Sequence, residues 1–254
     1  NDGNDTLTLG FKNMKILKYA FWIVWHIWFY LLVIVPILIL FPILFLTILS
    51  EKTYPQFFFL ARFWAKLIFY GMGFYHKVEY EQKLVKGESY MLVANHTSMT
   101  DIMLMLLVVK KNPFVFVGKK ELVKIPIFGT IYKRICVMVD RSSPKSRAEV
   151  YERCAERMEE GDSIVIFPEG GVPDDTSVIL DKFKDGAFIL SNKHQSPLAV
   201  FTIVGLKEMF PFDHGKGYPG KIKIYFNEIL EPTKNIQELK EVSHNLIKFT
   251  LQNN

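Results

Sequence analysis

The chain has 254 residues, a formal net charge of +5 and a hydrophobic content of 50%, with 22 Phe. That length supports one good core with an appendage, and so small a basic excess does not make a nucleic-acid binder; beside an apolar segment it suits an anionic membrane surface. Two cysteines, Cys136 and Cys154, form no CxxC and share no metal-ligand spacing with His, which excludes a zinc motif and suits buried thiols of a reducing compartment.

Residues 1–13 have little periodicity ahead of Met14-Lys15-Ile16 and read as a non-native, disordered lead. From Ala20 to Leu49 no residue is charged. A straight helix of that length would run about 45 Å, against about 30 Å of bilayer hydrocarbon. It is too long for a signal-peptide core, and Pro36 and Pro42 are expected to kink or break it. After Ser50-Glu51-Lys52-Thr53-Tyr54, a second helix is expected from Pro55 to about Tyr70, with Arg62 and Lys66 on one face amid Phe57, Phe58, Phe59, Phe63 and Trp64. Trp22, Trp25, Trp28, Phe58, Arg62 and Lys66 are the side chains expected to anchor residues 14–73 in a phospholipid bilayer. Lys12, Lys15 and Lys18 precede the apolar run, and Lys52, Arg62 and Lys66 follow it. Positive flanks on both sides favour a monotopic hairpin in one leaflet over a single span, with the rest of the chain on the cytoplasmic face.

From residue 74 to 254 short β-rich runs alternate with helical ones. Strands are expected at Tyr90–Ala94, Phe114–Val117, Ile135–Val139, Ser163–Phe167, Leu198–Thr202 and Ile222–Phe226. Helices are expected near Thr100–Val109, Pro126–Lys133, Ser146–Glu160, Asp185–Lys193 and Ile236–Leu251. Ser146 with Glu149 makes a capping-box start for the third of these, and Gly161 a stop. The alternation predicts an α/β fold with a mixed, largely covered sheet flanked by helices, preceded by the two-helix anchor.

Asn95-His96-Thr97-Ser98-Met99-Thr100-Asp101 falls where a strand ends and a helix begins, the position at which α/β folds place ligands. A histidine working as a base there needs a carboxylate to fix its tautomer, and Asp101 lies about one helical turn away. Ser98-x-x-Asp101 is equally a capping-box pattern, in which Asp101 would serve only the helix N-terminus. Phe167-Pro168-Glu169-Gly170 follows another apolar strand and reads either as a plain turn or as a substrate-facing one. Lys119 and Arg141 end neighbouring strand candidates, with Lys182 and Lys184 before Gly186; several cations at strand ends suit a phosphate.

These blocks, in order and spacing, resemble the 1-acyl-glycerol-3-phosphate acyltransferase (PlsC-type) family: Asn95-His96 with Ser98 and Asp101, Gly118-Lys119 through Gly129, Asp140-Arg141, Phe167-Pro168-Glu169-Gly170, and Phe183-Lys184-x-Gly186. The likeness covers about residues 75–205. It implies that His96 deprotonates the 2-hydroxyl of lysophosphatidic acid while Asp101 orients the ring. The alkoxide would attack an acyl thioester, releasing coenzyme A or acyl carrier protein and forming phosphatidic acid, with no cofactor, no metal and no covalent acyl-enzyme. Substrate contacts are expected from Lys119, Arg141, Glu169, Gly170, Lys182, Lys184, Asn95 and Ser98.

Two positions depart from the family. Its usual Glu-Gly-Thr-Arg-Ser is replaced here by Glu169-Gly170-Gly171-Val172-Pro173, so Arg141 or Lys184 is expected to compensate. Phe201 stands where a Pro is usual, a position that would bear on pocket shape. Among rival readings, a serine hydrolase lacks GxSxG, and the serine of Gly161-Asp162-Ser163 precedes a strand rather than following one. Gly215-x-Gly217-x-x-Gly220 fits a dinucleotide pattern but is followed by a strand, not a helix. Within the family, glycerol-3-phosphate or another lyso-lipid could be the acceptor. A non-catalytic monotopic lipid-binding protein is the alternative from a different class.

Overall fold

The computed structural model describes residues 2–140, 142–173, 177–213 and 215–254, with backbone alone for residues 2–13 and Arg147. The apolar run forms α1 (Asp2–Thr47), which includes residues 2–13 that the sequence suggested were disordered. Pro36 and Pro42 lie inside α1 without breaking it. Each ring removes one backbone donor, but Ile37 and Leu44, seven residues apart on one face, are buried and hold the helix in place on either side. A tight turn at Glu51–Thr53 leads into α2 (Tyr54–Gly71), whose Pro55 sits at a helix start where its missing N–H costs nothing.

The two helices run back along each other. Trp28 Nε1 donates to the Gly71 carbonyl at 2.8 Å and Trp64 Nε1 to that of Val33 at 3.0 Å. Close approach is possible because Gly71 has no side chain: a Cβ there would lie 2.8 Å from Leu32 Cδ1. On its other side α2 packs on α3 (Asp101–Val108), and its Ala65, Ile68 and Phe69 are fully buried. Trp25 and Phe58 therefore do not reach lipid. Trp25 packs edge-on to Phe74 and Phe210, and Phe58 edge-on to Phe114. An aromatic side chain gains as much from an apolar protein face as from lipid, and sequence pattern alone does not separate the two. Trp22 Nε1 reaches the Gly217 carbonyl and Arg62 Nε that of Leu106, so both are committed to the protein; Lys66 and the face of Trp28 are exposed.

Seven strands, among the described residues, form one sheet in the order β1-β7-β6-β2-β5-β3-β4. They are β1 (Tyr75–Tyr80), β2 (Met91–Ala94), β3 (Phe114–Lys119), β4 (Cys136–Val139), β5 (Ser163–Ile166), β6 (Leu198–Val204) and β7 (Lys221–Leu230). The run β6-β2-β5-β3-β4 is parallel throughout; β7 pairs antiparallel with β6 and parallel with β1. Mixed pairing is what the sequence predicted, and β2 is buried at every residue, as a strand covered on both faces should be. α6 (Gly186–His194) packs between α5 (Pro144–Glu159) and α8 (Ile236–Gln252) in one layer, while α2 and α3 pack together in another. α4 (Phe128–Ile135) and the short α7 (Leu206–Met209) complete the body.

Three details differ from expectation. β1 escaped prediction because its sequence, YHKVEY, has no apolar alternation, and as a sheet edge it pairs only with β7. α5 begins earlier, at Pro144, with Ser143 as its cap accepting from the Ser146 amide; Ser146 Oγ instead takes the amide of Asp140. Phe201 lies in the core, stacked on Phe226 at 4.5 Å, and shapes no open pocket.

The turn between α1 and α2 is tied to the α/β body by charge. Glu51 pairs with Arg134 of α4 and with Arg157 of α5, and Arg157 also meets Asp162 before β5. Both guanidinium groups lie over the Tyr54 ring, at 5.0 and 4.3 Å from its centroid, while the Tyr54 hydroxyl donates to the Phe114 carbonyl at 2.6 Å.

Candidate active site

Because β2, β5, β3 and β4 run the same way, their carboxyl ends share one edge of the sheet. That edge collects the turn after β2, the Phe167–Gly170 turn after β5, Lys119 at the end of β3 and Asp140 after β4. Arg141, expected to meet a phosphate, lies outside the described residues.

Asn95 fixes the first turn. Its side chain accepts from the Ile203 amide at 2.7 Å and donates to the Ile203 carbonyl at 2.9 Å, pinning the end of β2 to β6. Ser98 donates to the Phe210 carbonyl at 2.6 Å. Both residues are completely buried, so neither has a polar group left for substrate, and both expectations of substrate contact are corrected.

Between these two ties sits the histidine. One carboxylate oxygen of Asp101 accepts three donors: His96 Nδ1 at 2.8 Å, the Thr97 amide at 2.6 Å and the Ser98 amide at 2.9 Å. Asp101 thus organises its own turn and orients the ring, so the two readings of this residue are not exclusive. A ring donating through Nδ1 has Nε2 as its basic nitrogen. The His96 side chain is 19% exposed and that of Asp101 0%, so the ring is reachable and its partner is not. Phe167 stacks on His96 with centroids 4.3 Å apart and planes 17° apart, and Phe116 lies beyond it. Sequence reasoning quoted Phe167 in its block but gave it no role; an aromatic ahead of a Pro-Glu-Gly turn was the available signal.

Glu169 bridges two loops. One of its oxygens accepts the His96 amide at 2.8 Å and the other the Asp181 amide at 3.0 Å. Burial, the largest influence, pushes its carboxyl above the ordinary range against the pull of those two amides and His96. Next to it Gly170 has φ +77°, a conformation in which a side chain is strained. Lys184 crosses the face of Gly170: a Cβ built there would fall 2.8 Å from Lys184 Cδ. The structure therefore gathers His96, Asp101, Glu169, Gly170 and Lys184. Lys119 shares the edge but is exposed, and Lys182 is exposed with its amide bonded to its neighbour Asp181.

An imidazole held through Nδ1 and still partly exposed can take a proton from a hydroxyl. Five backbone amides of the turn leading into α3 are not free to meet an oxyanion. The amides of His96, Thr97, Ser98, Thr100 and Asp101 already donate to Glu169, Asp101 and Ser98.

The sequence pattern of the acyltransferase family matches residues 76–204, the span holding all of these turns. The 1-acyl-sn-glycerol-3-phosphate acyltransferase of Chlamydomonas reinhardtii is 28% identical over 161 residues, which are 63% of this chain and 47% of that protein. The chloroplastic 1-acyl-sn-glycerol-3-phosphate acyltransferase LPAT1 of Arabidopsis thaliana is 30% identical over 157 residues, 60% of this chain and 42% of that protein. The chain thus spans less than half the length of these two relatives. The crystal structure of PlsC, the 1-acyl-sn-glycerophosphate (LPA) acyltransferase from Thermotoga maritima, superposes with a TM-score of 0.79 over 93% of this chain and 97% of that one, at 22% identity. The fold is therefore that of PlsC. With just over half of its residues inside the family pattern, the chain belongs to the acyltransferase family.

Proposed function

We propose that this chain transfers a fatty acyl group from an acyl thioester, of coenzyme A or acyl carrier protein, to the 2-hydroxyl of 1-acyl-glycerol-3-phosphate, forming phosphatidic acid. His96 Nε2 takes the hydroxyl proton as the oxygen attacks the thioester carbonyl. The C–O bond forms, the C–S bond breaks, and the proton passes from His96 to the departing thiolate. Asp101 keeps the ring oriented and stabilises the imidazolium. The observation that carries this reading is the 2.8 Å bond from His96 Nδ1 to a fully buried carboxylate, with the His96 side chain itself still 19% exposed. Lys184, and Lys119 along the same edge, are the cations proposed for the acceptor phosphate. No cofactor takes part; the thioester is a co-substrate.

The acceptor is the part of the reading with a specific rival. Gly171-Val172-Pro173 supplies no Arg where the family usually has one, which favours a different lyso-lipid acceptor as the second reading. The α1–α2 pair is proposed to hold the body on the cytoplasmic face of a membrane from within one leaflet. Only 17% of the most apolar window of Met14–Thr47 is buried in the protein, far less than in the core helix of a soluble fold.

Purified full chain, supplied with an acyl thioester and a panel of lyso-acceptors, should release free thiol most rapidly with lysophosphatidic acid. His96→Ala should lower the rate by about 10²–10⁴-fold. Asp101→Asn should lower it by about 10³–10⁴-fold. His96→Ala should leave membrane association and the melting temperature intact. Absence of thiol release with every acceptor removes the acyltransferase reading, and an unchanged rate in His96→Ala removes the assigned base.

A further inference from the structure

An open cleft of about 520 Å³ lies at the far end of the same sheet edge, away from His96, between α4, the end of β4 and the start of α5. Its charged lining is mostly basic: Lys120, Lys124, Lys133, Lys145 and Arg153. The two acids in it are already engaged. Glu149 faces Lys145 at 4.0 Å and Arg153 at 3.8 Å, while Asp140 accepts the amide and hydroxyl of Ser142. Lys120, Lys124 and Lys133 have no ion-pair partner among the described residues. Like charges crowded into a concave surface repel one another, and an anion of several charges would relieve that repulsion.

Distance decides which anion. The lining begins at Lys120, directly after β3 and two strands from β2, and continues past β4, three strands away, so at about 4.8 Å per strand the cleft extends from about 10 to about 14 Å from His96. The phosphate of a lysophosphatidic acid sits on the carbon next to the reacting alcohol, a few bonds from the imidazole, so it reaches at most the near rim at Lys120 and cannot fill the part lined by Lys133, Lys145 and Arg153. A coenzyme A thioester differs: its phosphates and nucleotide are separated from the reacting carbonyl by the whole pantetheine arm. A recess of this volume suits a compact nucleotide better than the convex surface of a carrier protein.

We infer that this cleft binds the 3′-phosphorylated adenosine diphosphate end of the acyl donor, with the pantetheine arm running along the strand ends to His96. The inference rests on the acyl-transfer reading and makes coenzyme A, rather than a carrier protein, the donor. Lys124 and Lys133 are both exposed, so Lys124→Gln/Lys133→Gln keeps the packed core intact. The full chain in nanodiscs is titrated with adenosine 3′,5′-bisphosphate, and the wild type should bind it saturably. The double variant should bind about tenfold more weakly, and its kcat/KM ratio for acyl-CoA over acyl-pantetheine should fall by about the same factor. Equal nucleotide binding by the two proteins overturns the inference. So does a variant whose KM rises only for acyl carrier protein, or only for lysophosphatidic acid. If no acceptor supports thiol release, the acyl-transfer reading fails, while the nucleotide titration still decides what the cleft holds.

Discussion

Glu169 is the residue on which the site's geometry turns, because it holds in register two backbone segments that have no other reason to meet. Its two oxygens accept amides 73 residues upstream and 12 residues downstream, at His96 and Asp181. In Glu169→Gln one oxygen becomes an NH2 group facing an N–H donor, so one buried amide loses its partner. The expected cost is about 1–3 kcal/mol of stability. Displacing the His96 backbone should also lower kcat by about 10²-fold, because catalysis is that sensitive to position. Thermal melting with steady-state kinetics checks both; a variant with wild-type kcat would mean that Glu169 does not position the proposed base, His96. What could be read at this scale follows from distance along the chain. Asp101 is five residues from His96, so the local pattern exposed the pair. Asn95 and Ser98 find their partners at Ile203 and Phe210, more than 100 residues away, and the sequence offered no way to tell a buried tie from a substrate contact.

At the scale of elements, the junction of Glu51, Arg134, Arg157, Tyr54 and Asp162 holds the helical hairpin to the α/β body. Asp162 lies just ahead of β5, beside Arg157, and burial outweighs that cation and lifts its carboxyl from 3.8 to about 6. A carboxyl raised on folding favours the folded state at low pH and loses that contribution as pH climbs through its folded value. Between pH 4 and 6 the Asp162 contribution should therefore fall, by on the order of 2–3 kcal/mol in total. Asp162→Asn cannot titrate, so the stability of the wild type relative to the variant should fall with rising pH across this window. Denaturant unfolding of both proteins at several pH values measures it; parallel curves would place the Asp162 carboxyl in its ordinary range. Elements themselves were legible where burial imposed a pattern. Six strands of the sheet were anticipated because their apolar runs are buried, whereas the exposed edge strand β1 was not. The prolines of α1 misled because helix propensity is local, while burial of Ile37 and Leu44 against the rest of the molecule is not.

For the whole molecule, the proposed membrane attachment raises the question of how the apolar helix would meet a bilayer. A spanning α1 would carry its Thr47 end to the far side of the bilayer. That end leads directly into Glu51, which is paired with Arg134 and Arg157 of the body, and the Ser50 carbonyl accepts from Arg134 at 2.8 Å. The middle of α1 is fastened as well: Trp22 bonds Gly217, and Trp25 packs on Phe74 and Phe210. Between these two ties, from Trp22 to Thr47, the helix lies along the body. It offers lipid only its outer face, where Ile23, Ile27, Leu31, Ile34, Leu38 and Phe45 are exposed. This argues for immersion in one leaflet, in keeping with the cationic flanks on both sides of the run. Cysteines introduced singly at Lys18, Lys52 and Lys86 test it with a membrane-impermeant thiol reagent on sealed vesicles. All three positions are exposed. The native thiols should contribute little background, since Cys136 and Cys154 are buried and burial pushes the Cys154 thiol up to about 12. One-leaflet immersion predicts that all three sites react from the same side. Reaction of Lys18→Cys only from the face opposite to Lys52→Cys and Lys86→Cys would require α1 to cross the bilayer, and with it the release of the Trp22 and Trp25 contacts that fasten its first half to the body.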